Sequence, residues 1–116
     1  MESILRQKSY YFAVRIVKLH KYLRNEHKEY VLSKQLLRSG TAIGSLIREA
    51  QYAQSRKDFI NKLSIALKEA NETEYWLILL NETGYITEEM SKSIMQEVKE
   101  LLRMLTSSLN TSKKVL

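Results

Sequence analysis

Apolar residues recur along this chain at the three-and-four spacing of an amphipathic helix, and no useful stretch alternates as a strand would. Four stretches stand out. In the first, about residues 5–26, Phe12, Ile16, Leu19 and Leu23 share one face, with Ala13, Val17 and His20 beside it. The second, about 30–53, sets Leu36, Gly40, Ile43, Ile47 and Ala50 on one face. The third, about 56–82, has the clearest pattern. Its Phe59, Leu63, Ala66, Ala70, Thr73, Leu77 and Leu80 fall within roughly a third of the circumference, the width of a core-facing stripe. Ile65 and Trp76 widen it on one side. The fourth, about 87–109, carries Met90, Ile94, Val98, Leu101, Leu105 and Leu109. Residues 110–116 are polar and without periodicity, so this tail is expected to fray.

The breaks between the stretches carry helix punctuation. Asn25 to Glu29 is a polar turn. Ser55 is placed to cap the third helix, with Asp58 three residues on as in a capping box. Gly84 can take the left-handed position that ends it, and Thr87 caps the fourth, with Glu88 and Glu89 favourably placed against the dipole. Without a proline anywhere, the helices can run uninterrupted. Short breaks between long helices predict an all-α, antiparallel up-down-up-down four-helix bundle, formed as one domain over residues 1–116.

The second helix is unusual behind its apolar face. Ala42, Ser45 and Leu46 lie there, and only Arg38 and Glu49 bring charge. Gly40 and Gly44 inside a helix cost about 1 kcal/mol each against alanine, so close packing should compensate. A helix so poor in charge is expected to be touched on more than one side, and the chain is expected to self-associate. Arg38, Gly40, Gly44, Arg48, Glu49, Glu69 and Trp76 are therefore candidates for helix-packing or oligomer contacts. Glu69, Glu72 and Glu74 are natural partners for arginines such as Arg38 or Arg48.

The net charge of +6 is unevenly spread. Residues 1–58 hold 12 Lys and Arg against 5 Asp and Glu, whereas residues 59–116 hold 7 against 8. The excess in the first half suits an anionic partner: RNA, DNA or an acidic protein. The densest cationic surface is on the first helix, where Lys8, Arg15, Lys18, Lys21 and Arg24 lie outside the apolar stripe and Tyr11 and Tyr22 interleave with them. Two readings fit this ridge. It can track phosphates and stack bases, or the tyrosines can cover the flank of a core while the lysines extend past them into water.

The motifs of the second and third helices resemble those of a known family, the four-helix bundle proteins called 23S rRNA intervening-sequence or S23 proteins. The matching residues are Leu36-Leu37-Arg38-Ser39-Gly40-Thr41-Ala42-Ile43-Gly44 and Arg48-Glu49-Ala50. Downstream they are Asp58-Phe59, Lys62-Leu63, Ile65 to Ala70, Glu72 to Leu77, and Leu79-Leu80. One departure is that Leu46 stands where many members carry Asn, and Arg48 where many carry a small residue. The resemblance implies a ring-like homopentamer of four-helix bundles, without enzymatic activity, from a family rooted in elements inserted into large-subunit ribosomal RNA genes. Related proteins are accessory subunits of diversity-generating retroelements, where they bind a reverse transcriptase and nucleic acid.

The chemistry of sites adds little. Cysteine is absent, which removes disulfides and thiolate metal sites and fits a cytoplasmic protein. No secretory signal or membrane-spanning run is visible. A di-metal bundle site would need Glu-x-x-His pairs; the chain has Glu69-x-x-Glu72 and only two histidines, His20 and His27. Gly40 to Gly44 lacks the lysine and the preceding strand of a phosphate loop. The sequence therefore points to a non-enzymatic oligomeric scaffold with no cofactor and no metal. It would bind nucleic acid, RNA above all, or serve as a protein-interaction ring.

Overall fold

The computed structural model describes residues 2–114, with side chains from Ile4 onward. Four helices follow one another: α1 (Glu2–His27), α2 (Leu32–Gln51), α3 (Arg56–Glu82) and α4 (Glu88–Lys114). Each packs on its sequence neighbours, and α4 closes back onto α1. The rod that results measures 47 × 21 × 19 Å. Neighbours are antiparallel, as cross-helix pairs show: Arg6 reaches Gln51 and His20 reaches Ser33 between α1 and α2, while Arg38 meets Glu69 and Lys62 meets Glu49 between α2 and α3.

The predicted stripes are the core. Phe12, Ile16, Leu23, Leu36, Ile43, Leu77, Leu80, Val98 and Leu105 have no exposed surface. Burying each such side chain contributes about 1.5–3 kcal/mol, so the stripes and not helix propensity hold the bundle together. Small polar residues sit among them where helices come close. The Thr73 hydroxyl donates to the Glu69 carbonyl one turn back and lies 3.0 Å from the Ser39 hydroxyl across the α2–α3 contact.

The glycines of α2 face α1 within the same chain. A Cβ at Gly40 would come within 2.8 Å of Ile16, which is itself wholly buried. One at Gly44 would come 3.2 Å from the backbone oxygen of Ser9. Both are thus helix-packing positions, and their cost in helix propensity is offset by the approach of α1 that they permit.

Three of the four expected punctuation marks fall where the sequence puts them. The Asp58 N–H donates to Ser55 Oγ and the Met90 N–H to Thr87 Oγ1, and Gly84 has φ +84°. The fourth differs. α1 runs on through the polar turn to His27, and α2 starts at Leu32 and not near residue 30. Lys28 turns the chain at φ 54°, and the Glu29 carboxylate then accepts N–H bonds from Val31, Leu32 and Ser33. A glutamate three residues before the first helical position thus does what a Ser or Asp cap does elsewhere.

The C-terminal segment also departs from expectation. α4 continues through 110–114, with Leu109 and Ser112 buried, whereas the reading from sequence had 110–116 frayed. Ser112 extends the stripe by three residues beyond Leu109, and hydropathy alone scores such a serine as solvent-facing. Residues 115 and 116 lie outside the described part.

Candidate nucleic-acid interface

Helix α1 presents its cations on two sides. Lys8 and Arg15 face α4: Lys8 Nζ lies 3.2 Å from Glu100, and the Arg15 guanidinium pairs with Glu97 while donating to Ser93 Oγ at 3.2 Å. These two are already neutralised from within the fold. Lys18, Lys21 and Arg24, further along, are exposed and enter no salt bridge among the described residues. The Arg24 guanidinium lies over the Tyr30 ring, 5.4 Å from its centre.

The two candidate tyrosines divide likewise. Tyr22 is half-buried, with its hydroxyl 3.1 Å from His27 Nε2 and its ring edge-on to that imidazole. It serves packing, as one of the two sequence readings had it. Tyr11 is 59% exposed and forms an edge-to-face pair with Tyr10, 63% exposed. Together they overhang a groove of about 630 Å³ between α1 and α2, floored by Thr41, Gly44 and Ser45 and bordered by Arg6 and Arg48. Among the described residues no acidic side chain lines it. Sequence patterning had not joined Tyr10 and Arg6 to this surface, because they lie on the far side of α1 from the Lys8–Tyr22 ridge.

The candidates on α2 and α3 form an ion network. Arg38 binds Glu69 at 3.1 Å and also pairs with Glu72, whose other partner is the Trp76 indole N–H at 2.9 Å. The guanidinium first and the indole second hold the Glu72 carboxyl below its ordinary value, and Glu72 raises that of Arg38. Glu49 pairs with Lys62 at 3.1 Å. Arg48 joins neither pair and borders the groove. These residues knit α2 to α3; they do not gather around a reacting centre. Among the described residues no three His, Asp or Glu side chains lie close enough to hold a metal ion, and no helix is long and apolar enough to cross a membrane.

One cationic surface escaped the sequence reading. Lys92, Lys99, Arg103 and Lys114 are all exposed and line the outward side of α4. The charge of the C-terminal half conceals them, because its acids average them away. Two of the acids of α4 lie on another side of the helix, Glu97 and Glu100 turning to α1, while Glu88 and Glu89 fall in its first turn, ahead of Lys92. A helical-wheel count of charge by face would have separated the two.

The whole arrangement has close parallels. The family model described as 23S rRNA-intervening sequence protein matches residues 1–107. A crystal structure from Bacteroides thetaiotaomicron, described as a protein with unknown function from the S23 ribosomal protein family, is 60% identical. The match covers 94% of this chain and 97% of that one, with a TM-score of 0.93. No curated protein matches the chain.

Proposed function

The chain belongs to the 23S rRNA-intervening sequence protein family, and on that premise we propose that it is a non-enzymatic, self-associating helical scaffold that binds nucleic acid, RNA in the first place, through surface cations. The observation that carries this reading is the cluster of Lys18, Lys21 and Arg24, three exposed cations on one half of α1 with no carboxylate bound to them among the described residues. Cations left free by the fold can displace counterions from phosphates, and that displacement drives sequence-independent binding. The net charge of +6 acts in the same direction at long range.

Self-association uses the groove between α1 and α2. Two exposed tyrosines beside small residues and two arginines are the composition of an interface centre. Five copies, the number that the family resemblance implies, would repeat the cationic cluster around a ring and raise avidity without a new contact.

The test is fluorescence anisotropy with labelled single-stranded RNA across a salt series, with light scattering on the same samples. The double variant Lys18→Glu, Lys21→Glu should bind on the order of tenfold or more weakly, with a shallower salt dependence, and keep the mass of the wild-type assembly. Arg15 is unsuited to this test, because a glutamate there would face Glu97 and disturb the α1–α4 contact. Equal affinity of variant and wild type, with no response to salt, would favour a protein-interaction ring or an accessory subunit of a partner enzyme.

A further inference from the structure

Helix α4 has two edges of opposite character. Towards α1 it turns Glu97 and Glu100, which Arg15 and Lys8 engage. Outward it turns a line made of Lys92, Gln96, Lys99, Arg103, Asn110 and Lys114, stepping by three or four residues except for two turns, seven residues, between Arg103 and Asn110. All six are exposed, the line holds no acid from Lys92 onward, Glu88 and Glu89 lying one turn ahead of it, and its four cations enter no salt bridge among the described residues. At 1.5 Å per residue the line is about 33 Å long.

We infer that this edge of α4 is a track for the sugar-phosphate backbone of double-stranded nucleic acid. Its chemistry is that of backbone contacts: ammonium and guanidinium groups for phosphates, amides for phosphate and sugar oxygens. It lacks what other partners need. α4 contains no Phe, Tyr or Trp, so it offers unpaired bases no stacking surface, and the line has no apolar anchor on which a protein interface could centre. A duplex needs neither, because its bases are already stacked. The length of the line is close to one turn of a duplex, about 34 Å in B-form DNA. The inference rests on the nucleic-acid reading above but places the contact on a different helix, and it assigns duplex to α4 where α1 would take single strands.

The experiment uses the full chain with labelled duplexes of about 20 base pairs, one of DNA and one of RNA, and a single strand of each, titrated at several salt concentrations. Lys99→Glu with Arg103→Glu should weaken duplex binding on the order of thirtyfold at ~0.15 M salt and lower the log–log salt slope by about 2, with a much smaller effect on the single strand. Circular dichroism should be unchanged, since both residues are exposed. Lys99→Gln with Arg103→Gln should reduce duplex binding in the same direction by less, and this pair decides if the charge reversal unfolds the protein. Unchanged duplex affinity in both variants, with binding lost in Lys18→Glu, Lys21→Glu, overturns the α4 track and leaves the wider reading standing. An equal loss for duplex and single strand overturns the assignment to duplex. Wild-type protein that binds none of the probes overturns both readings.

Discussion

Helices α1 and α4 each carry a line of cations over most of their length, and the two lines meet opposite fates. On α1 the half nearest the N-terminus is tied to α4 through Lys8–Glu100 and Arg15–Glu97. On α4 the same contact draws Glu97 and Glu100 to one side and leaves Lys92, Lys99, Arg103 and Lys114 facing outward without them. A single seam thus silences part of one basic surface and uncovers another. Charge counted along a sequence is a poor guide to charge offered to a partner; the faces on which it lies and the pairs it makes decide that.

The comparison depends on α1 being held in its present rotation, so the most disruptive change is one that displaces α1. Gly40→Leu would drive a side chain into Ile16 and should cost about 3 kcal/mol, seen as a thermal midpoint lower by roughly 10 °C. Gly44→Leu, which meets the Ser9 backbone and hydroxyl at 3.2 Å or more and opens towards the groove, should cost less, about 1 kcal/mol after the gain in helix propensity. A rise in midpoint for Gly40→Leu would refute the close approach.

Next comes the seam itself. Arg15→Glu places like charges together and should destabilise the bundle by about 1 kcal/mol, whereas Lys99→Glu on the free edge should change stability by less than about 0.5 kcal/mol. Urea unfolding of the pair measures the contrast, and equal costs would abolish the distinction drawn between the two lines. Glu97→Gln with Glu100→Gln should sharpen it in the other direction. Stability should fall by less than about 1 kcal/mol, because both pairs are partly exposed, while affinity for single-stranded RNA should rise severalfold as Lys8 and Arg15 are released.

The smallest effect lies away from the seam, and its sign is fixed by Glu72. Its carboxyl is held below the ordinary value of 4.5 by Arg38 and then by Trp76, so folding favours the ionised form. The contribution is full above pH 4.5 and is lost as the pH falls through the lower folded value. Glu72→Gln should therefore be less stable than wild type at neutral pH, and the difference should shrink on acidification below pH 4.5. A difference independent of pH would remove the ion pair as its cause.

Much of the bundle is legible in the sequence because helix periodicity fixes the angular position of each residue. Leu36, Ile43 and Ile47 share a face whatever else the chain does, and Ser55, Gly84 and Thr87 act within a turn of themselves. The Arg38–Glu69–Glu72 group was also accessible, since α2 and α3 are consecutive and each offers few charges. What was hidden is which helix an edge faces. The partners of Lys8 and Arg15 lie on the last helix, and nothing local to α1 announces them. The Glu29 cap was missed because its carboxylate works from outside the usual cap position, and the end of α4 because a buried serine carries no hydropathy signal.

The closure of α4 onto α1 also has a kinetic consequence. Every other helix contact joins consecutive elements, so most of the bundle can form with short excursions of the chain and should form fast. The seam is different: Arg15 and Glu97 are 82 residues apart in sequence and Lys8 and Glu100 still further, so joining them closes a loop that spans most of the chain. Mutations there should leave the folding rate almost unchanged and speed unfolding. Native-state hydrogen exchange should find the outer turns of α1 and α4 opening together before α2 and α3. Each such opening would bare Lys8 and Arg15 for its duration, so the cationic surface of α1 is larger in the fluctuating molecule than in the closed one.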